Sequence, residues 1–179
     1  ATSDPVGRVQ VTSANTPRGT QHLTMDVASN GTYSTNEASL RVDLSGQSQV
    51  ELSFWWKEFS DESDPEDGVY FSDDGGSTFT KVRDLVSGSS SYTRIALDVD
   101  ALASANGLSL SSTFVVRCQQ RDNYGISTDG FAFDDVSLSS GGGGPATIHA
   151  SDFESGSLDP AWTTQSSAPV GRIQLTSSF

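Results

Sequence analysis

The sequence predicts an all-β protein in which two antiparallel sheets pack face to face as a β-sandwich, with at most one short helix. Three observations predict it. Nearly every apolar run alternates with period two. The runs are rich in β-branched and aromatic residues. Gly, Asn, Asp and Ser fill the gaps between runs, where turns need them. Alternation with one polar face is the pattern of half-solvated strands, hence of antiparallel sheets with a shared core.

Taken in order, Leu23, Met25 and Val27 share one side of the first clear strand. Leu40, Val42 and Leu44 share the next, with Arg41 and Asp43 opposite. The strongest strand puts Val50, Leu52, Phe54 and Trp56 on one face and Glu51, Ser53 and Trp55 on the other. Val69 and Phe71 then oppose Tyr70 and Ser72; Ile95, Leu97 and Val99 oppose Arg94, Ala96 and Asp98. Phe114, Val116 and Cys118 oppose Val115, Arg117, Gln119 and Arg121. The last of the series, from Phe131 to Leu138, keeps no clean apolar face. Phe131, Phe133 and Asp135 fall on one side, and Ala132, Asp134, Val136 and Leu138 on the other. One carboxylate would then face the interior, where an unpaired charge costs several kcal/mol. The one helix is predicted after Asp100 as cap, over Ala101 to Ala105, ending at Asn106-Gly107.

The charge balance narrows the partners. Ten Lys plus Arg face 23 Asp plus Glu in 179 residues, a net charge of −13. Nucleic acid and anionic lipid need a positive field, so neither is expected as a partner. No apolar run reaches membrane-spanning length, so no membrane insertion is expected. The single cysteine, Cys118, lies on a core-facing position and excludes an intrachain disulfide. His22 opens a strand and reads as a surface or satisfied residue, and His149 follows a glycine run. No nucleophile elbow, zinc-protease motif or phosphate-cradling loop is present, so the chain is expected not to be an enzyme and no catalytic residue is assigned.

An internal repeat sets the organisation. PVGRVQVTS at residues 5–13 returns as PVGRIQLTS at 169–177, with seven of nine positions identical. The offset of 164 residues suits one domain plus a linker, not a solenoid. Residues 1–140 read as a sandwich body lacking its opening strand, 141–145 as a glycine linker, and 146–179 as the opening segment of the next repeat. Ile148, Phe153, Leu158 and Trp162 give that segment the means to complete the sandwich, in the same chain or in a neighbouring one.

Two motifs add a resemblance. Asp152-Phe153-Glu154 followed by Trp162, and Ala132-Phe133-Asp134-Asp135-Val136, resemble the opening and closing strands of the MAM domain and its bacterial jelly-roll relatives. The resemblance implies a jelly-roll sandwich with first and last strands close together, an adhesive or interaction role, and a structural calcium ion on carboxylates of the two motifs: Asp152, Glu154 and one of Asp134 and Asp135. The order departs from the family, since the opening motif follows the closing one, and the disulfides of animal MAM domains are absent. Separately, Ser72, Asp74, Gly76, Thr78 and Phe79 match an Asp-box, which implies a tight structural hairpin turn.

Further surface features complete the expectations. The run 57–68 holds Glu58, Asp61, Glu62, Asp64, Glu66 and Asp67 without EF-hand spacing and reads as a solvated acidic loop. Trp55, Tyr70, Arg117 and Gln119 point away from the core, and would form a carbohydrate-binding face if their strands were neighbours; Tyr124 is a weaker candidate. The expected function is a non-catalytic structural, adhesion or assembly module of a secreted or cell-surface repetitive protein, partnered by neighbouring repeats or copies of itself. The alternative is a carbohydrate-binding module, with polysaccharide as partner, attached to a polysaccharide-active enzyme.

Overall fold

In a computed structural model, which describes residues 6–141, 146–168 and 171–175, the chain is a sandwich of two antiparallel sheets. The strands are β1 (Gly7–Thr12), β2 (His22–Val27), β3 (Ser34–Val42), β4 (Val50–Glu58), β5 (Gly68–Ser72), β6 (Thr80–Asp84), β7 (Thr93–Asp98), β8 (Phe114–Asp122), β9 (Phe131–Ser140), β10 (Ala146–Ser151), β11 (Trp162–Ala168) and β12 (Gly171–Leu175). The helix α1 (Val99–Ala105) lies between β7 and β8. One sheet runs β1-β2-β9-β4-β7, with β10 also on β9; the other runs β12-β11-β3-β8-β5-β6.

The predicted inner faces meet in one core. Leu23, Met25, Leu40, Val50, Leu52, Phe54, Val69, Phe71, Phe114 and Val116 are all buried within it. Phe54 packs against Phe133, and Phe71 against Phe114, with ring centroids 5.8 and 5.2 Å apart at tilted or edge-on angles that aromatic quadrupoles favour. Cys118 is buried, and loss of water pushes its thiol up to about 12, so it is an inert core residue.

Two local expectations are corrected. The cap of α1 is Asp98, two residues earlier than expected. Its Oδ1 accepts from Ala101 N at 2.9 Å, while Asp100 turns back to accept from Val50 N at 2.6 Å. In β9 the alternation shifts phase. Register with β4 slips between Ser53 and Trp55, so two residues, Asp135 and Val136, stand opposite Phe54. Asp135 takes φ of 47°. This is a β-bulge. It lets Phe131 and Phe133 before it, and Val136 and Leu138 after it, all enter the core. The strand therefore has one apolar face after all.

β9 is also where the chain's two halves meet. β2 pairs with Phe131 to Phe133 only, and β10 takes the same edge from Val136 to Ser140. On the other sheet β11 pairs with β3 from Trp162↔Leu40 to Ser167↔Thr35. Between these strands, Phe153 and Trp162 join the core, and Trp162 Nε1 donates to Ser151 Oγ at 2.9 Å. The first repeat copy supplies β1; the second supplies β12, on the far side of β11. Pro5, Pro169, Val170, Thr176 and Ser177 of the two copies, and residues 142–145 of the glycine linker, lie outside the described residues.

Candidate functional site

The acids near the ends of β4, β8 and β9 and at the β9 bulge fall into two groups with opposite chemistry. The first lies at the bulge, in the gap between the end of β2's pairing and the start of β10's. Asp134 is 1% exposed; its Oδ2 accepts from Arg18 N and its Oδ1 from Asp135 N, both at 2.9 Å. Asp135 Oδ2 takes Arg18 Nε at 2.9 Å. Glu154 accepts from Thr20 N at 2.9 Å, Gln21 N and the Thr20 hydroxyl. Those donors hold the Glu154 carboxyl below its usual range. The approach is so close that a Cβ on Gly19 would fall 2.0 Å from Glu154 Oε1. Asp152 Oδ1 accepts from Glu154 N at 3.1 Å.

This is where the sequence placed calcium, on Asp134, Asp135, Asp152 and Glu154. Both Asp134 oxygens and those of Glu154 are turned to N–H and O–H donors, and Asp135 Oδ2 to a guanidinium. Among the described residues, the grouping of three or more acidic or imidazole ligands within reach of one ion does not include them.

That grouping lies at one end of the sandwich, where β4 and β8 run out and β9 begins. Its members are Asp61 and Glu62, just past β4, and Asp129, just before β9. One carboxylate oxygen from each lies within 4.8 Å of the others. Asp122, the last residue of β8, is within hydrogen-bond reach of Asp129. Asp122 is fully buried: Oδ1 accepts from Tyr124 N at 2.9 Å, and Oδ2 has no hydrogen-bond partner. Asp61 Oδ1 is likewise shut off from solvent and unpartnered. Burial first, then the neighbouring carboxylates, raises the proton affinity of Asp61 strongly, and burial raises that of Asp122 and Glu62.

The loops that carry these side chains are tied to the body. Phe59 N donates to Gly130 O at 2.9 Å, joining the two loops. Asp67 is fully buried; it accepts from Arg121 N at 2.6 Å and Asp64 N at 3.1 Å, yet burial still pushes its carboxyl up to about 7. Asp26, paired with Arg8, holds the second loop through Ile126 N at 2.9 Å. The loop expected to be a solvated acidic run thus turns inward: Glu58, Asp64 and Asp67 are all buried. The cause is the strand order, which brings Arg121 of β8 beside it, with Nη1 2.5 Å from Asp64.

The aromatic candidates do not assemble as one face. Trp55 is on β4 in one sheet; Tyr70, Arg117 and Gln119 are on β5 and β8 in the other. Trp55 is half-buried beneath Arg18, whose guanidinium carbon stands 3.7 Å from the ring centroid. Tyr70 is across from Arg117, and both the Tyr70 hydroxyl and Gln119 Nε2 donate to Glu66 O, at 2.8 and 3.0 Å. Tyr124 is exposed in the loop after β8. The Asp-box residues form a turn: Ser72 Oγ and Thr78 Oγ1 donate to Asp74 at 2.7 Å, Ser77 N and Thr78 N donate to Asp74 Oδ1, and Gly75 and Gly76 carry positive φ. Phe79 lies under Arg117 at 3.4 Å. His22 is fully buried and satisfied by Tyr92 Oη and Ala14 O, with burial lowering it to about 4.

No known family model, curated protein or solved structure matches the chain.

Proposed function

We propose that the chain is a non-catalytic structural module of a secreted, repetitive protein, in which the segment after the glycine run closes the sandwich and, between copies, joins one unit to the next. The observation that carries this reading is the seat of β10 and β11. They fill the half of β9's edge that β2 leaves and the open edge of β3, and they bring Phe153 and Trp162 into the core. Chain order agrees with it. In the second repeat copy, Ser166 stands five residues before Gly171, the counterpart of Gly7. In space, a Cβ on Gly7 would lie 2.7 Å from Ser166 Cβ. The end of β11 therefore lies where an uninterrupted unit would pass from its opening segment into β1. The MAM-like motifs, which resemble modules of adhesion, and the acidic, Ser- and Gly-rich composition support a surface setting.

Carbohydrate binding is the weaker reading, because Trp55 is stacked under Arg18 and the polar tips of Tyr70 and Gln119 are engaged by Glu66 O. Deleting residues 146–179 tests the reading. The expected outcome is a melting point lower by at least about 10 °C, or aggregation, reversed by a peptide of residues 146–168 added in trans. Trp162→Ala in the full chain should cost roughly 3–5 kcal/mol. Unchanged melting of the deleted chain would contradict closure. A full chain that stays monomeric at every concentration in light scattering would contradict assembly.

A further inference from the structure

We propose that Asp61, Glu62, Asp122 and Asp129 form a binding site for one calcium ion that ties the two sheets together at the end of the sandwich. Two carboxylate oxygens at this end of the sandwich have unmet bonding. Asp122 is fully buried with one carboxylate oxygen lacking any donor, and Asp61 Oδ1 is in the same condition. A buried carboxylate oxygen in this state wants a cation or an N–H group. None of the ion pairs among the described residues reaches the four carboxylates: Arg8 is held by Asp26, Arg121 by Asp64 and Arg117 by Glu37.

Geometry selects the ligand class. One oxygen each of Asp61, Glu62 and Asp129 lies within 4.8 Å of the others, so one ion at their centre can reach all three, because calcium–oxygen bonds run 2.3–2.6 Å; Asp122 stands beside Asp129 as the outer member. Only oxygen ligands are present in this group, which is the chemistry of a hard cation rather than of zinc or copper. Three of the four acids face inward, and Glu62 is exposed, leaving an open side for water. Calcium accepts six to eight oxygens in flexible arrangements that mix one- and two-oxygen carboxylates with water. Magnesium keeps several waters of its own and is poorly served by a buried carboxylate cluster.

Position gives the ion its role. Asp61 and Glu62 follow β4, and Asp129 precedes β9; both strands belong to one sheet. Asp122 ends β8 of the other. An ion held by all four joins two loops and both sheets at one point.

The test is calorimetric titration of the full 179-residue chain with calcium chloride after removal of metal by chelator, paired with thermal melting. One saturable site with a dissociation constant below about 1 mM is expected, and a melting point several degrees higher in calcium than in chelator. Asp129→Asn, which removes a buried member of the three-carboxylate grouping, should abolish binding, and Asp122→Asn should weaken it. Glu62→Gln, at an exposed position that leaves the core intact, should weaken it about tenfold, which keeps the test valid if Asp129→Asn does not fold. Glu154→Gln, in the other acidic group, should bind as the parent does. Absence of binding heat with a melting shift under about 1 °C, or binding unaffected by Glu62→Gln, would overturn the proposal.

Discussion

The two acidic groups of this sandwich hold their carboxylates in contrasting ways. At the bulge of β9, buried Asp134 and exposed Glu154 are met by backbone N–H groups and a hydroxyl, and Asp135 by Arg18. At the end of the sandwich, Asp61, Asp122 and Asp129 face one another without a cationic side chain. The first group is a finished polar network, in which the acids serve as fasteners between loop 13–21, β9 and the segment after β10. The second is incomplete as protein alone. Burial by itself therefore says little about a carboxylate's role; what separates fastener from ligand is whether donors already fill its lone pairs.

The contrast yields predictions of decreasing size. Withdrawal of calcium should act only through the second group. At a hundredfold excess over its dissociation constant, an ion binding the folded chain alone stabilises it by about 2.7 kcal/mol. For a chain of this length each kcal/mol moves the midpoint roughly 2–4 °C. Melting in calcium and in chelator should therefore differ by about 5–10 °C. Next, Asp134→Ala should cost about 2 kcal/mol, because it strands the Arg18 and Asp135 N–H groups. That loss should be the same in calcium and in chelator; dependence on calcium would erase the distinction between the groups.

Acidity sharpens the contrast further. Asp67, beside the second group, has its carboxyl pushed up to about 7 by burial, and Asp61 and Asp122 are raised too. A raised carboxyl binds its proton more readily in the folded chain than in the unfolded one. Its protonated form stabilises fully below the unfolded value near 3.8, and that contribution disappears as pH climbs through 7. In chelator, stability should thus increase by about 1 kcal/mol or more as pH falls from 8 to 6. Calcium should suppress that increase. Below about pH 6.5 His22 works in the opposite sense. It stays neutral in the fold down to about 4, so the unfolded chain takes the proton first and stability falls with further acid. Chemical denaturation at fixed pH steps reads both slopes. The smallest effect is expected at Glu51, whose bond to Arg94 is exposed at both ends: Glu51→Ala should stay within about 0.5 kcal/mol of the parent in denaturant melts.

Much of the sandwich could be read from alternation. It put Val50, Leu52, Phe54 and Trp56, and likewise Phe114, Val116 and Cys118, on inner faces where they belong. It failed at Asp134-Asp135, because a bulge changes the phase of a strand without changing its composition. It also failed to bring Trp55 to Tyr70, since period two gives a residue's face but not its sheet. The second acidic group was half visible. Counting on by twos from Phe114 reaches Gln120 and Asp122, both buried, so an interior carboxylate was there to be found. That Asp61 and Asp129 would meet it depends on which strand ends become neighbours. That is decided by the order β9-β4 in one sheet and β3-β8-β5 in the other, which local pattern does not encode.

The most direct measurement is anomalous diffraction from crystals of the full chain soaked in a terbium salt, a calcium surrogate with strong anomalous signal. A principal peak is expected among Asp61, Glu62, Asp122 and Asp129, with Asp134 and Glu154 keeping Arg18 and Thr20 as partners. A peak seated instead on Asp134, Asp152 and Glu154, or no peak at the end of the sandwich, would contradict it.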